Sequence, residues 1–403
     1  MGLVSCSNGC LSKEEPQSTR SSHLYSTDSA SLSSQPSLPT VPSLTTSQIH
    51  LPPTHHQCIS TLKAHSSPVF SLTLSAKSLY SGSSNGEIRL WPTQPTSCPT
   101  SNIVTVGKAA VKSVAVLHNK LFTAHQDHKI RVWEIDRGYK LSATLPTLLD
   151  RVLRFLPPKN HVQVRRHKKC TWVHHIDSVS ALALSTDGTI LYSVSWDRTL
   201  KIWRTNDFRC MESVANAHDD AINALAISQE GFIYTGSADT RIKVWTKGPA
   251  QKKHSLHATL EKHRSAVNAL ALSPDGSVLY SGACDRSIVV WERDLTSRNV
   301  HMVVVGALRG HTKAILCLGV VKGGDVVCSG SADRTVRVWM RGVDRGYSCL
   351  AVLDGHAGPV KCLAVGLDRG GGGGDGGGTS VVVYSGGLDC DIKVWQVSSP
   401  DPL

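Results

Sequence analysis

Aromatic residues make up only 5% of the 403 positions, and acids are outnumbered, 31 Asp and Glu against 43 Lys and Arg. No apolar run approaches the roughly eighteen residues that a membrane-spanning helix needs, and the start carries no apolar core of secretory type, so a soluble, intracellular chain is expected. The twelve cysteines include no CxxC pair, and several stand at strand positions such as Cys317, Cys328 and Cys362. That pattern predicts packed free thiols in a reducing compartment rather than disulfides or zinc. There is also no nucleophile elbow, HExxH, Walker segment or kinase set, so the enzyme classes those motifs carry are excluded. No catalytic residue, cofactor, metal or small-molecule substrate is expected.

What the sequence has is a repeat. The stretch Ser329-Gly330-Ser331-Ala332-Asp333-Arg334-Thr335-Val336-Arg337-Val338-Trp339 reads as strand, tight turn and strand, with Val336 and Val338 alternating with polar residues. The same frame ends at Trp91, Trp133, Trp203, Trp245, Trp291, Trp339 and Trp395. Six residues before each stands Asn85, Asp127, Asp197, Asp239, Asp285, Asp333 or Asp389, and four before that a hydroxyl: Ser81, Thr123, Ser193, Thr235, Ser281, Ser329 or Ser385. Further upstream six units carry a His followed four residues later by Val or Ile: His65, His175, His218, His263, His311 and His356. The second unit has Gly107 there instead. A carboxylate removed from water needs donors, and His, Ser or Thr and the indole N–H supply them, so each quartet is expected to cement one small sheet. Asn85 and Gly107 make the first two units the ones expected to open most easily. His125-Gln126-Asp127-His128 looks like a metal cluster, but Asp127 belongs to the repeat and no metal is expected.

Repeats near 42 to 48 residues with four strands each are the sequence mark of a propeller. The chain resembles WD40-repeat proteins, although the residue after the tryptophan is never Asp. The expected fold is all-β, a single seven-bladed WD40 β-propeller. Residues 1–56, rich in Ser, Thr, Pro and Gln, read as a disordered tail, and 57–397 as the propeller. Residues 57–62 precede the first His without inner strands of their own, and the last unit lacks an outer strand. The two deficits predict a closing strand shared by the chain ends. Residues 398–403 are read as a short C-terminal tail.

Tryptophan spacings of 42, 70, 42, 46, 48 and 56 expose two insertions. The glycine-rich stretch 369–379 runs into a strand, which predicts a hairpin loop and not a phosphate cradle. Residues 146–173, between blades 2 and 3, begin with helical spacing from Thr147 to Leu156, stop at Pro157-Pro158 and continue into a basic cluster, Arg165, Arg166, Lys168 and Lys169. Half of the chain's net charge of +12 falls between Asp150 and Lys169, so the propeller itself is only mildly basic. This insertion is similar to that of the plant JINGUBANG-like WD40 proteins. The resemblance implies a non-catalytic regulator of growth programmes such as pollen germination, acting through other proteins, transcriptional regulators among them.

Partners in the family dock where the channel narrows, through the residue before the turn Asp and those flanking the first-strand Val or Ile. Most such positions here are small and neutral, as at Ser180, Asn223 and Asn268. The candidates that stand out are Trp196, Phe70, Lys112, Leu316, Lys361 and Leu388, with Trp196 the aromatic anchor. The leading reading is therefore an interaction scaffold, cytoplasmic and nuclear, with the basic cluster as a solvated loop that also serves import. Two alternatives stand beside it. A substrate receptor of a cullin-type ubiquitin ligase often carries Trp-Asp-x-Arg, and no unit here does. Binding of nucleic acid or anionic lipid through the insertion would bring steep salt dependence. The start Met1-Gly2-Leu3-Val4-Ser5-Cys6 resembles an acylation signal without its Ser or Thr, so no membrane partner is expected unless it is acylated.

Overall fold

The computed structural model describes residues 41–45, 54–63, 65–75, 78–93, 102–155, 161–165, 168–248, 251–294, 301–321, 323–342, 344–367 and 380–398. The glycine-rich stretch 369–379, Arg166 and the acylation-like start lie outside them. The alternating pattern becomes seven antiparallel four-stranded sheets, each running from an innermost first strand to an outer fourth one. Blade 6, for example, is Ile315–Val320, Val326–Ser331, Val336–Arg341 and Tyr347–Leu353. The first strands of neighbouring blades pack on one another, blade 7 against blade 1 included, so the ring is closed. Seven apolar clusters form the core, and each straddles two adjacent blades. Leu62 and Ile392 of blade 7, for instance, pack with Val69 and Trp91 of blade 1.

Blade 7 takes its outer strand from the beginning of the propeller. His55–Leu62 pairs antiparallel with Ile392–Ser398, from His55 opposite Ser398 to Leu62 opposite Ile392. The strand starts two residues earlier than the expected 57–62. Blades approach closely because the second strand keeps a small residue at one point. A Cβ on Gly330 would stand 2.7 Å from Val360 of the next blade, and one on Gly282 would press equally on Ile315.

The insertion forms a helix, Leu148–Phe155, and a two-stranded hairpin, His161–Arg165 with Lys168–Thr171. Of the basic cluster, Arg165 thus falls on one strand of a hairpin and Lys168 and Lys169 on the other, where a single strand running into a loop was expected. Thr147 Oγ1 accepts the Asp150 N–H at 3.2 Å and caps the helix. Asp150, only 2% exposed, accepts the Cys210 N–H at 2.8 Å and so pins the helix to the outer strand of blade 3.

Two further features depart from the sequence reading. Val41–Thr45, assigned to the disordered tail, lies along the outer rim of blades 5 and 6, because Val41 and Leu44 find apolar seats there. Seven described cysteines are free; Cys210, Cys317, Cys328 and Cys362 are packed in strands as expected, Cys349 is half-buried and Cys58 is exposed on its strand, whereas Cys284 is disulfide-bonded. Cys284 stands half-exposed in a turn, outside the strand core.

Candidate functional site

Each quartet is assembled by strand register. In blade 6, Trp339 Nε1 donates to Ser329 Oγ at 2.9 Å, Ser329 Oγ meets His311 Nε2 at 2.8 Å, and His311 Nδ1 meets Asp333 Oδ2 at 2.8 Å. An ionised carboxylate only accepts, which assigns a proton to Nδ1. Asp333 also accepts the Thr312 and Thr335 N–H groups, both at 3.0 Å, so the turn and the entry to the first strand are tied together. The same four-part chain runs through His175, Ser193, Asp197 and Trp203 and through His218, Thr235, Asp239 and Trp245. It recurs in His263, Ser281, Asp285 and Trp291 and in His356, Ser385, Asp389 and Trp395.

Blades 1 and 2 keep the indole–hydroxyl–imidazole link but change its end. In blade 1, Trp91 and His65 both meet Ser81, at 2.8 and 2.7 Å. Asn85 turns instead to Ser83 and Ser66, and the carboxylate facing His65 Nδ1 is that of Glu87, 3.4 Å away and paired with Arg89 at 2.6 Å. In blade 2 the imidazole is not missing, contrary to what Gly107 implied. His125 lies two residues from Thr123 on the same strand, meets its hydroxyl at 2.8 Å and donates to the Ala109 carbonyl at 3.2 Å. Asp127, assigned to the quartet by spacing, is drawn away to Arg131, with contacts of 2.5 and 3.2 Å. Burial pushes His65 and His125 down to about 4, with Glu87 opposing the shift at His65, so both rings are neutral. Burial alone would raise Asp239, but the His218 hydrogen bond and charge and two backbone N–H groups override it and lower it to about 2. The Ser/His/Asp sets are no hydrolase. Each hydroxyl is fully buried and already engaged by an indole and an imidazole, so no substrate reaches it.

The residue before each turn is held by one recurrent backbone bond. Trp196 N donates to Ser178 O at 3.1 Å, Ala332 N to Ala314 O at 2.9 Å and Leu388 N to Pro359 O at 2.9 Å, with equivalents in the other blades. Just beyond, every first strand shifts register by one residue. The residues that the register skips are Phe70, Lys112, Ser180, Asn223, Asn268, Leu316 and Lys361, and a bulge re-aims its side chain out of the sheet.

These seven bulge residues divide into two groups. Ser180, Asn223 and Asn268 of blades 3 to 5 donate to the next blade's carbonyl, Ile222 O at 2.5 Å, Val267 O at 3.1 Å and Ile315 O at 2.9 Å. Spacing alone had placed these three on the docking face; the structure uses them to join blades. In blades 6 and 7 the corresponding bond comes from the next residue, Cys317 to Val360 O and Cys362 to Val69 O, while in blade 1 Thr73 reaches further along the next blade, to Val114 O at 2.6 Å. The bulge positions there and in blade 2 hold the large side chains of Leu316, Lys361, Phe70 and Lys112. Lys112 Nζ stands 4.2 Å from the centre of the Phe70 ring and 5.4 Å from that of Trp196, joining blades 1, 2 and 3. Burial lowers Lys361 below the ordinary lysine range and pushes the neighbouring thiols of Cys317 and Cys328 up to about 12, which leaves those thiols inert. Leu388 stands in the corresponding turn of blade 7, next to Asp389.

On the insertion, Leu148, Leu149 and Val152 are 77%, 51% and 60% exposed. Arg165, Lys168 and Lys169 stand on the hairpin strands. Lys201 Nζ donates to Trp172 O at 2.5 Å and to Ser213 at 2.6 Å, fixing the return from the hairpin to blade 3. No helix among the described residues is long and apolar enough to cross a membrane, and no group of three or more His, Cys, Asp or Glu there is arranged to hold a metal ion.

The family model described as "WD domain, G-beta repeat" matches residues 56–92, 167–204, 209–246, 254–292, 302–340 and 347–396, more than half of the chain. The stretch it passes over contains blade 2, where the imidazole is supplied from a different position. The chain is similar to transducin beta-like protein 3 of Homo sapiens, 26% identical over 202 residues covering 44% of this chain and 25% of that protein. It is 22% identical over 254 residues to the kinesin-like protein KIF21B of Homo sapiens, covering 59% and 14%. It is 25% identical over 247 residues to the ribosome biogenesis protein WDR12 homolog of Trichoplax adhaerens, covering 49% and 56%. The chain thus spans between 14% and 56% of the lengths of these relatives. With seven closed blades, the recurrent indole–hydroxyl–imidazole link and the matched repeats in hand, this chain belongs to the WD40 family, whose propellers generally serve as non-catalytic scaffolds that bind other proteins.

Proposed function

We propose that this chain is a regulatory interaction scaffold whose narrow face, along the arc from blade 6 through blades 7, 1 and 2 to blade 3, docks a protein segment combining an apolar anchor with acids. The observation that carries this reading is the division among the bulge residues. Three blades use them to bond the next blade, and the other four hold Leu316, Lys361, Phe70 and Lys112 there. Phe70 and Trp196 give the arc aromatic surface, and Lys112 and Lys361 give it positive charge in a half-buried setting where an incoming carboxylate is poorly screened. The three relatives are named for different things, so their names support the shared propeller and no one process. The finer assignment, a JINGUBANG-like regulator of plant growth programmes present in nucleus and cytoplasm, rests on the form of the insertion and its basic hairpin. Affinity capture tests the face, comparing the wild-type chain with Trp196→Ala, Lys112→Glu and a chain lacking 147–171. Partners lost from the two point variants and kept by the deletion support it; a partner set unchanged by Trp196→Ala and Lys112→Glu overturns it.

A further inference from the structure

The outer strand of blade 5, Met302–Leu308, is an edge, and Val41–Thr45 extends it in parallel register. Ala307 N donates to Pro42 O at 2.9 Å and Leu44 N to Ala307 O at 3.0 Å. Tyr347 N of blade 6 then donates to Leu44 O at 2.9 Å, so the segment bridges two blades. Arg309 brackets it: its guanidinium donates to Val41 O at 2.7 Å, and its backbone N–H donates to Thr45 Oγ1 at 3.0 Å. Val41, 2% exposed, packs in the apolar cluster that contains Trp291, Met302 and Ala307, and Leu44 packs against the one that contains Leu308, Trp339 and Tyr347. Pro42 and Ser43 face solvent.

The seat for Leu44 is Gly306. A Cβ built there would stand 2.8 Å from Leu44 Cδ2 and 2.9 Å from Pro42 O, and its three nearest atoms all belong to this segment. The groove therefore reads two apolar side chains three residues apart, a hydroxyl one residue later and a run of backbone. Nothing in that requirement ties the occupant to the same chain.

We propose that the rim between blades 5 and 6 is a second docking site, independent of the narrow face. It takes an extended segment of a partner protein of the form apolar–any–any–Leu–Ser/Thr by strand addition, and Val41–Thr45 is its displaceable internal occupant. Only eight residues separate Thr45 from Thr54, which is itself held to the Leu350 carbonyl of blade 6 at 2.8 Å. So short a tether gives the internal segment an effective concentration on the order of millimolar, and a partner engages once the tail is drawn away.

The test uses the full chain and a fluorescent peptide copying residues 39–47. In the Val41→Asp/Leu44→Asp chain the groove is vacated, because a buried carboxylate without donors is not tolerated. The peptide is expected to bind this chain at least about tenfold more tightly than the wild type, where the tether competes. Adding Gly306→Ala to the vacated chain is expected to abolish binding. In the otherwise wild-type chain, Gly306→Ala is expected to remove hydrogen-exchange protection at the Leu44, Ala307 and Tyr347 amides and leave the inner strands protected, which separates loss of docking from loss of fold. Absence of peptide binding to the vacated chain, binding that Gly306→Ala does not diminish, or a Leu44 amide exchanging freely in the wild type would each overturn the proposal.

Discussion

Asp333 accepts a ring N–H and two backbone N–H groups in a half-buried turn, whereas Asp127, at the same place in the repeat, holds only Arg131 on a surface 30% open to water. Asp333→Ala strands four donors, the Thr335 hydroxyl at 2.7 Å being the fourth, and should cost about 3 kcal/mol, while Asp127→Ala should cost about 0.5 kcal/mol. Denaturant midpoints of the two variants measure this, and equal losses would show that the quartets are not what holds these turns. The histidines bring a pH dependence of known sign. Burial lowers His65 and His125 from an ordinary 6.5 to about 4, so between those values they stay neutral in the fold and take up protons when unfolded. Stability from this source is complete above pH 6.5 and falls as pH drops towards 4, by about 3 kcal/mol for each ring. Asp239, lowered to about 2, adds stability present above its unfolded value near 4 and lost as pH falls further. A melting curve recorded across pH 7 to 4 should slope downward, and His125→Gln should flatten part of that slope. Glu87 went unread, and His125 was read only as part of a metal-like cluster, because both serve the buried sets from positions the repeat does not use. Which side chain completes a buried set depends on reach between strands, and a fixed spacing does not encode it.

The strands were legible for a physical reason: an alternating face must bury every second residue, so period two and the turn residues that interrupt it survive in the sequence. The first-strand bulges were not. Phe70, Ser180, Asn268 and Leu316 occupy one position of the repeat, and only the structure divides them into blade joiners and face residues. Asn268→Ala removes an inter-blade hydrogen bond made from a half-buried amide and should destabilise by about 1 kcal/mol; Leu316→Ala should cost less but alter binding at the narrow face. The close approach between blades gives a sharper contrast. Gly330→Val would drive a branched side chain into Val360 and should cost about 3 kcal/mol, whereas the rim substitution Gly306→Ala meets only the docked segment. Chemical denaturation of the four variants ranks them. Val41–Thr45 itself was illegible, since five residues with two apolar positions carry no period.

As a whole the molecule is a ring joined at one seam, where the first described strand of the propeller lies against the last. Leu62→Asp would put a carboxylate into the cluster of Val69, Trp91 and Ile392, free the edge of Ile392–Ser398, and is expected to lower the melting temperature and promote self-association on sedimentation. A variant that stayed monomeric with an unchanged melting temperature would show that the ring does not need its clasp. The direction of that seam also has a mechanical meaning. Because His55 sits opposite Ser398, handles attached at these two residues would load the backbone bonds one pair at a time, as a zipper is drawn, and never all together in shear. The propeller should therefore yield to a small pull at its own ends while resisting a much larger one applied across any interior blade.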